Sequence, residues 1–210
     1  NKENQINEIL WALNITGYEC KYSDPRFSKT YEYGIFREQY MTLEEYKKKY
    51  FDSSRPYTVG LLESNMYVSN GQLQPYYALI KSLEAKGCNV IPVVAAGGSE
   101  NQLKVMVKYF TNAPSYEAYL NNPLKYTNNV NAIISMPAYG IGGNLFDNTT
   151  KYFETAGVPV FRAVHSDYVS NEEWELSATG LPGNRSDKWW HVAIGEAQGI
   201  IEATFVGGVT

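Results

Sequence analysis

The sequence is short of the residues that build metal sites and disulfide frameworks. It holds two cysteines, Cys20 and Cys88, and two histidines among 210 residues. Two cysteines so far apart predict neither a zinc knuckle nor a disulfide framework, and we expect buried or idle thiols. The spacings H-x-x-H and H-E-x-x-H are also missing, which argues against a self-contained zinc or iron site.

Long apolar runs and positive charge are scarce as well. No stretch approaches the roughly 20 apolar residues that cross a bilayer, so we expect no membrane span and a cytoplasmic protein. The net charge is −4 and the pI is near 5.3. The one lysine-rich run, residues 47–49, follows two glutamates, as on a solvated helix face. Nucleic-acid binding is therefore not expected.

The signatures of nucleotide binding and serine catalysis are absent. The segment Gly140-Ile-Gly-Gly143 follows a predicted strand but lacks the third glycine of the dinucleotide fingerprint. There is no Gly-Lys-Ser/Thr of a P-loop and no nucleophile elbow. The chain itself is not expected to hold ATP or NAD.

Composition and residue patterns predict a globular chain with two parts. Hydrophobic residues make up 44% and aromatics 14%, enough for a core. Apolar residues at three-and-four spacing predict a short amphipathic helix near the start: Ile6, Ile9, Leu10 and Leu13. Thr42 and Glu45 form a capping box that opens a second helix. We assign residues 1–55 to an N-terminal helical and irregular segment with a linker, and residues 56–210 to an α/β domain.

Strand-like and helix-like patterns alternate from Tyr57 onward. Apolar β-branched runs predict strands at Tyr57–Leu62, Asn89–Val94, Asn131–Met136 and Val158–Val164, and a final extended segment is predicted at Ile200–Val206. Between and after them, helices are predicted at Gln72–Lys86, Asn101–Phe110, Ser115–Leu120, Phe146–Ala156 and Asp187–Ala197. The alternation predicts an open, mostly parallel sheet with helices on both faces, like flavodoxin or half of a periplasmic receptor. Pro92 and Pro159 predict a late start, a bulge or an edge position for their strands.

In such sheets, ligands bind at the carboxyl ends of the strands where strand order reverses. Four predicted loops lie there: Glu63–Gly71, Ala95–Glu100, Pro137–Asn144 and His165–Glu172. Gly97 and Ser99 precede a helix and are typical of an anion site, although a simple tight turn is the preferred interpretation. His165 is a candidate general base, metal ligand or axial ligand, or a loop histidine bonded to its neighbours. His191 follows two tryptophans and is interpreted as a packing residue.

Several segments in their joint order resemble the large subunit of cobaltochelatase and magnesium chelatase. They include "YTVGLLESNMYVSNGQLQPYYALIKSLEAKGCNVIPVVAAG", "NAIISMPAYGIGGN", "VPVFRAVHSDYVSNEEWELSATGL" and "HVAIGEAQGIIEATFVGG". The resemblance covers about residues 33–210 and implies an internal domain of a longer protein. It implies a tetrapyrrole substrate, a divalent metal (cobalt or magnesium), ATP hydrolysed by ATPase partner subunits, and contacts with the remaining domains of the large subunit.

The resemblance also implies which residues face the macrocycle. The family usually carries Arg and His in the first strand-end loop, where this chain has Asn65 and Tyr67. With these two, the predicted substrate-binding residues are Gly97, Ser99, Tyr139, Gly140, His165 and Glu196. Glu196 matches the glutamate of a Pro-Glu-x-Asp-Gly motif that is frequent in the family. The alternative interpretation, an exposed glutamate at a helix end without a ligand role, is equally favoured. The fragment is expected to hold no cofactor and not to insert metal alone.

Two other functions stay open from the residues themselves. One is a non-catalytic binding module for a small polar ligand or sugar, resembling half of a periplasmic-type receptor. The other is a structural or interaction domain that binds no ligand.

Overall fold

The computed structural model describes residues 2–24, 33–137, 140–142, 146–181 and 188–209. The chain forms two compact units, Asn1–Glu32 and Tyr33–Thr210. The first unit contains helix α1, Lys2–Ile15. This helix forms as predicted, although Ile6, Ile9 and Leu13 along its expected apolar face are exposed.

The second unit is built on a seven-stranded sheet. Its strands are β1 (Gly34–Arg37), β2 (Gln39–Met41), β3 (Tyr57–Ser64), β4 (Cys88–Ala95), β5 (Ala132–Ser135), β6 (Val160–Ser170) and β7 (Ile201–Val209). The strand order is β2-β1-β4-β3-β5-β6-β7. Strands β3 to β7 are mutually parallel, and β1 pairs antiparallel with both β2 and β4. The five parallel strands follow the flavodoxin-like order 2-1-3-4-5, which confirms the predicted fold class.

Helices precede and connect the parallel strands, and most of them form where the sequence pattern predicts them. They are α2 (Leu43–Tyr50), α3 (Asn65–Asn70), α4 (Gln74–Ala85), α5 (Glu100–Phe110), α6 (Tyr116–Asn121), α7 (Phe146–Ala156), α8 (Asn171–Leu176) and α9 (Ile194–Ala197). A π-helical turn, Lys188–Ala193, leads into α9. The capping box of α2 is present: Glu45 donates its amide to Thr42 Oγ1 at 3.2 Å, and Thr42 donates its amide to Glu45 Oε2 at 2.8 Å. The unit with the sheet begins at Tyr33, so it includes β1, β2 and α2, which precede the boundary expected at residue 56.

Alternating residues of the central strands build a core on each face of the sheet. Leu62, Ile91 and Val93 pack in one cluster with residues of α5, α6 and α7. Leu61, Val90 and Val94 pack in the other with residues of α3 and α4. A parallel sheet covered on both faces has strands that are apolar throughout, which is why these runs lack a polar side.

The two prolines behave differently. Pro159 lies directly before β6, so that strand starts late, as one of the predicted alternatives states. Pro92 lies inside β4 and pairs in register with Leu61, without a bulge. The edge position and the bulge predicted for that strand are wrong. Strand β1 pairs only with Val93 and Val94, so Pro92 lies just outside the short antiparallel ladder.

Two of the predicted strand-end loops have regular structure instead. Residues predicted as the loop Glu63–Gly71 finish β3 and then form α3. Ser64 caps this helix by accepting the amide of Met66, and Gly71 ends it in the left-handed conformation at φ 73°. His165 also lies in a strand rather than in a loop, because β6 continues to Ser170 through register shifts against β7.

Close packing at Gly60 makes a first prediction about stability. A Cβ atom at Gly60 would lie 2.8–2.9 Å from three ring atoms of Phe110, which is fully buried. We expect Gly60→Ala to lower the free energy of unfolding by about 1–3 kcal/mol through overpacking. Urea denaturation of Gly60→Ala, Phe110→Leu and the double variant tests this. The losses of stability in the two single variants should not add up in the double variant, because leucine at position 110 makes room for the alanine methyl group at position 60. Strict additivity would contradict the contact between the two positions.

Candidate functional site

Strand order reverses between β3 and β5, and in folds of this kind ligands bind at the carboxyl ends of the strands on either side of the reversal. The chain leaves β3 for β4 on one side and later returns to β5 on the other. Asn65 directly follows β3 and is buried, whereas Gly97 and Ser99 follow β4 and are half-buried. The sequence-predicted residues after these strands therefore lie at the edge of the sheet where ligands bind in this fold.

An aromatic pair joins α3 to the middle of β6. The rings of Tyr67 and His165 lie 4.5 Å apart between centroids, with their planes inclined by 30°. Tyr67 is 1% exposed and His165 is 5% exposed. Both residues are sequence-predicted, and the structure brings them into direct contact.

A buried arginine lies on β6, the strand that also carries His165. Arg162 is 2% exposed and stands next to Ser135 of β5 in the parallel register. Its Nη1 donates to Ser135 Oγ at 3.3 Å and to the carbonyl oxygen of Pro137. Burial lowers the pKa of Arg162 to about 10, and the negative charge of Glu63 acts in the opposite direction. The guanidinium therefore stays charged at neutral pH.

Glu63 and His191 complete the group. Glu63 is 1% exposed, and its Oε1 accepts the amide of Ser64 at 2.6 Å. His191 comes from the π-helical turn, which packs against β6. Burial, with the positive charges of Arg162 and His165, lowers its pKa to about 3, so the imidazole is neutral at pH 7. We call Glu63, Tyr67, Arg162, His165 and His191 the buried polar cluster.

The glycine segment after β5 is held against α9. The side-chain amide of Gln198 accepts the amide of Ile141 at 3.0 Å and donates to its carbonyl oxygen at 2.9 Å. A Cβ atom at Gly140 would lie 2.7 Å from Ile194 Cγ2. Gly140 therefore allows α9 to approach the end of β5. Its predicted neighbour Tyr139 lies outside the described residues.

The turn after β4 is closed by a hydrogen bond from a serine within the turn. Ser99 Oγ donates to the carbonyl oxygen of Ala96 at 2.6 Å, and Gly98 has a positive φ of 62°. This is the tight turn that the sequence favours at Gly97 and Ser99. A ligand role for these two residues stays a prediction.

Glu196 lies apart from the buried polar cluster. It is exposed on α9 and lines a groove of about 470 Å³ together with Trp174, Lys188 and Phe205. The Trp174 and Phe205 rings stack with centroids 4.6 Å apart and planes inclined by 9°. The structure does not place Glu196 with the other predicted site residues.

Metal-binding and membrane-spanning features are not found in the part of the chain that the structure describes. No group of three His, Cys, Asp or Glu side chains there is placed to hold a metal ion. None of the described helices has the length and apolar character of a bilayer span. Both cysteines are half-buried free thiols.

Three members of the cluster are not predicted from the sequence as individual site residues, although two carry a signal. Arg162 interrupts the apolar run Val160–Val164, and Glu63 ends the apolar run of β3. A charged residue inside a strand that is buried on both faces has to be paired or functional. His191 has no such signal, because its position beside the sheet depends on the packing of the π-helical turn.

These features define an α/β domain with a buried polar cluster at the topological switch point. The chain belongs to the CobN/magnesium chelatase family, whose family model matches residues 1–210. It is therefore related to a large chelatase subunit, as the sequence resemblance implies.

Two curated relatives and one solved structure give the extent of the similarity. An uncharacterized protein of Methanocaldococcus jannaschii is 29% identical over 179 residues, which are 80% of this chain and 13% of that protein. The chloroplastic magnesium-chelatase subunit ChlH of Oryza sativa subsp. indica is 28% identical over 191 residues, 82% of this chain and 13% of that subunit. The catalytic subunit of cobaltochelatase from Mycobacterium tuberculosis shares the fold with a TM-score of 0.53 at 13% identity, over 87% of this chain and 13% of that one. The chain thus spans about an eighth of the length of these proteins. Because the rice relative is chloroplastic, the cytoplasmic location of this chain stays a prediction.

Proposed function

We propose that this chain is a tetrapyrrole-binding domain of an ATP-dependent metal chelatase large subunit. It contributes walls to the macrocycle cleft and does not insert metal alone. Cobalt or magnesium enters as a substrate, partner subunits hydrolyse ATP, and the remaining domains of the large subunit complete the site. Family membership and the names of the relatives support this proposal.

The observation that carries the proposal is the buried polar cluster at the switch point. Tyr67 and His165 supply flat ring surfaces, and Arg162 supplies a positive charge. A metal-free tetrapyrrole is flat and apolar over its ring and carries ionised carboxylates at its rim. Aromatic faces and a guanidinium match these two features. The half-buried residues Gly97, Ser99 and Gly140 border the same edge of the sheet.

The first test is macrocycle binding measured by quenching of tryptophan fluorescence. The protein carries Trp11, Trp174, Trp189 and Trp190. We expect saturable quenching by metal-free porphyrin or corrinoid precursors. If only small polar ligands or sugars bind, the chain is a small-ligand module and the proposal is wrong.

A matched pair of asparagine variants tests the role of α3. Asn65 is 5% exposed, and its Nδ2 has no hydrogen-bond partner among the described residues, whereas Asn70 at the end of the same helix is exposed. Loss of one hydrogen bond to the ligand is worth about 0.5–1.5 kcal/mol, so Asn65→Ala should weaken macrocycle binding about twofold to tenfold. Asn70→Ala should leave the affinity unchanged. Equal affinities for both variants would remove Asn65 from the site.

A further inference from the structure

One edge of the Arg162 guanidinium has no partner within the described ranges. Nη1 is occupied by Ser135 and Pro137, whereas Nε and Nη2 are buried and make no hydrogen bond to any described residue. The whole side chain is 2% exposed. Buried polar groups are nearly always hydrogen-bonded, and charged groups cost the most when they are not. Two orphaned donors on one buried cation therefore call for an acceptor.

Gly195 on α9 lies directly beside this edge. A Cβ atom at Gly195 would lie 3.4 Å from Nη2 and 3.5 Å from Nε of Arg162. Because the two distances are nearly equal, this Cβ atom would lie opposite the middle of the Nε–Nη2 edge. Gly195 has no positive φ and lies in a helix, where alanine is favoured by about 1 kcal/mol. The backbone thus does not require glycine here, and a methyl group would touch the guanidinium edge where a bound oxygen atom has to lie.

The two free donors are the pair that binds a carboxylate side-on. Nε and Nη2 present parallel N–H groups that match the two oxygen atoms of one carboxylate. Glu63 acts on Arg162 through its negative charge, but no hydrogen bond joins its carboxylate to Nε or Nη2. The free edge lies between the carboxyl end of β5 and α9. The π-helical turn that precedes α9 is a rare conformation that is frequent at functional sites.

We propose that the Nε–Nη2 edge of Arg162 binds a carboxylate group of the ligand, which replaces the α9 backbone at Gly195 as the neighbour of this edge. This inference rests on the proposed function, in which the ligand is a tetrapyrrole with ionised carboxylates at its rim. Arg162 then fixes the orientation of the macrocycle, while Tyr67 and His165 contact its ring. Binding moves α9 outward far enough to admit the two oxygen atoms.

The test compares metal-free deuteroporphyrin, which carries two carboxylates, with its dimethyl ester, which carries none, in the same detergent. We expect the wild-type protein to bind the diacid about tenfold or more tightly than the ester, since a bidentate charged pair exceeds about 1.4 kcal/mol. Gly195→Ala keeps the arginine and should reduce the preference to about threefold or less. Arg162→Lys keeps the positive charge but lacks the two parallel N–H donors, so it should also reduce the preference for the diacid. Ala197→Ser, on the same helix, is the control and should keep the full preference.

The outcomes separate this inference from the proposed function. If the wild-type protein binds both porphyrins equally, the function stands and Arg162 is a structural charge. If folded Gly195→Ala keeps the preference for the diacid, the carboxylate does not bind at this edge. If neither porphyrin binds, the proposed function fails and the inference fails with it. Denaturation curves of each variant confirm that it is folded.

Discussion

Replacement of Tyr67 by alanine is expected to lower the free energy of unfolding by about 3–5 kcal/mol and to abolish macrocycle binding. The ring is 1% exposed and packs in the core cluster with Leu61, Leu73 and Tyr76. Its removal leaves a large cavity between α3 and the sheet. The same substitution removes the ring that lies against His165, so the site and the fold are lost together.

Two further tyrosine variants separate the effect of the buried ring of Tyr67 from that of its hydroxyl group and from the loss of any tyrosine. Tyr67→Phe keeps the ring and should cost less than about 1.5 kcal/mol. Tyr57→Ala removes a tyrosine that is 59% exposed at the start of β3 and should cost less than about 1 kcal/mol. Urea denaturation of the three variants measures these values. A loss in Tyr67→Ala as small as that in Tyr57→Ala would mean that the ring is not part of the core.

The sequence predicts the sheet and its crossover helices well because apolar periodicity determines them. Tyr76 and Ile80 recur at helical spacing and are buried in α4, as expected. The β1–β2 hairpin is not predicted, because its strands are four and three residues long. Glu38 joins them at a positive φ of 66°, where a glycine or asparagine would have signalled the turn. The hairpin is held by pairing with β4, which is a tertiary contact.

Helix α3 escapes prediction for a different reason. Its six residues, Asn65–Asn70, include two asparagines and a serine, which are weak helix formers. The caps determine this helix: the Ser64 hydroxyl at one end and the left-handed Gly71 at the other. Gly71 is the last residue of the predicted loop Glu63–Gly71, but the helix between the two caps is not predicted.

The site is predicted only as far as strand ends can be predicted. The ends of strands with apolar patterns predict the loops that contain Asn65, Tyr67 and His165, and the family resemblance then selects Asn65 and Tyr67. Arg162 and His191 join them through the register of β5 with β6 and through the packing of the π-helical turn. Glu196 is selected by family resemblance, and the structure places it on the exposed side of α9. Strand register brings together side chains from different strands. One sequence does not predict which of them become neighbours, because spacing along the chain does not determine the register.

The second large effect is a loss of stability on mild acidification that depends on His191. The pKa of this imidazole is about 3 in the folded protein, whereas the ordinary histidine value of 6.5 applies to the unfolded chain. Between these values the unfolded chain binds a proton that the native protein does not, so stability is complete above pH 6.5 and falls as pH decreases toward 3. From about pH 7.5 to about pH 5 this one group should cost about 2 kcal/mol in the free energy of unfolding. Guanidinium denaturation at both pH values measures the loss.

The histidine content makes this effect separable from other titrations. The chain has only two histidines, so a His191→Gln variant removes one of the two groups that ordinarily titrate near pH 6. The wild-type protein should lose about 2 kcal/mol more than His191→Gln between about pH 7.5 and about pH 5. Carboxylates that titrate below about pH 5 affect both proteins alike and cancel in the difference. Parallel losses would show that His191 takes up its proton in the folded state, which would require the imidazole to be hydrated or to move away from Arg162. A protonated His191 beside Arg162 would add a cation to the cluster, so the same measurement decides whether the charge that faces a bound carboxylate changes on acidification.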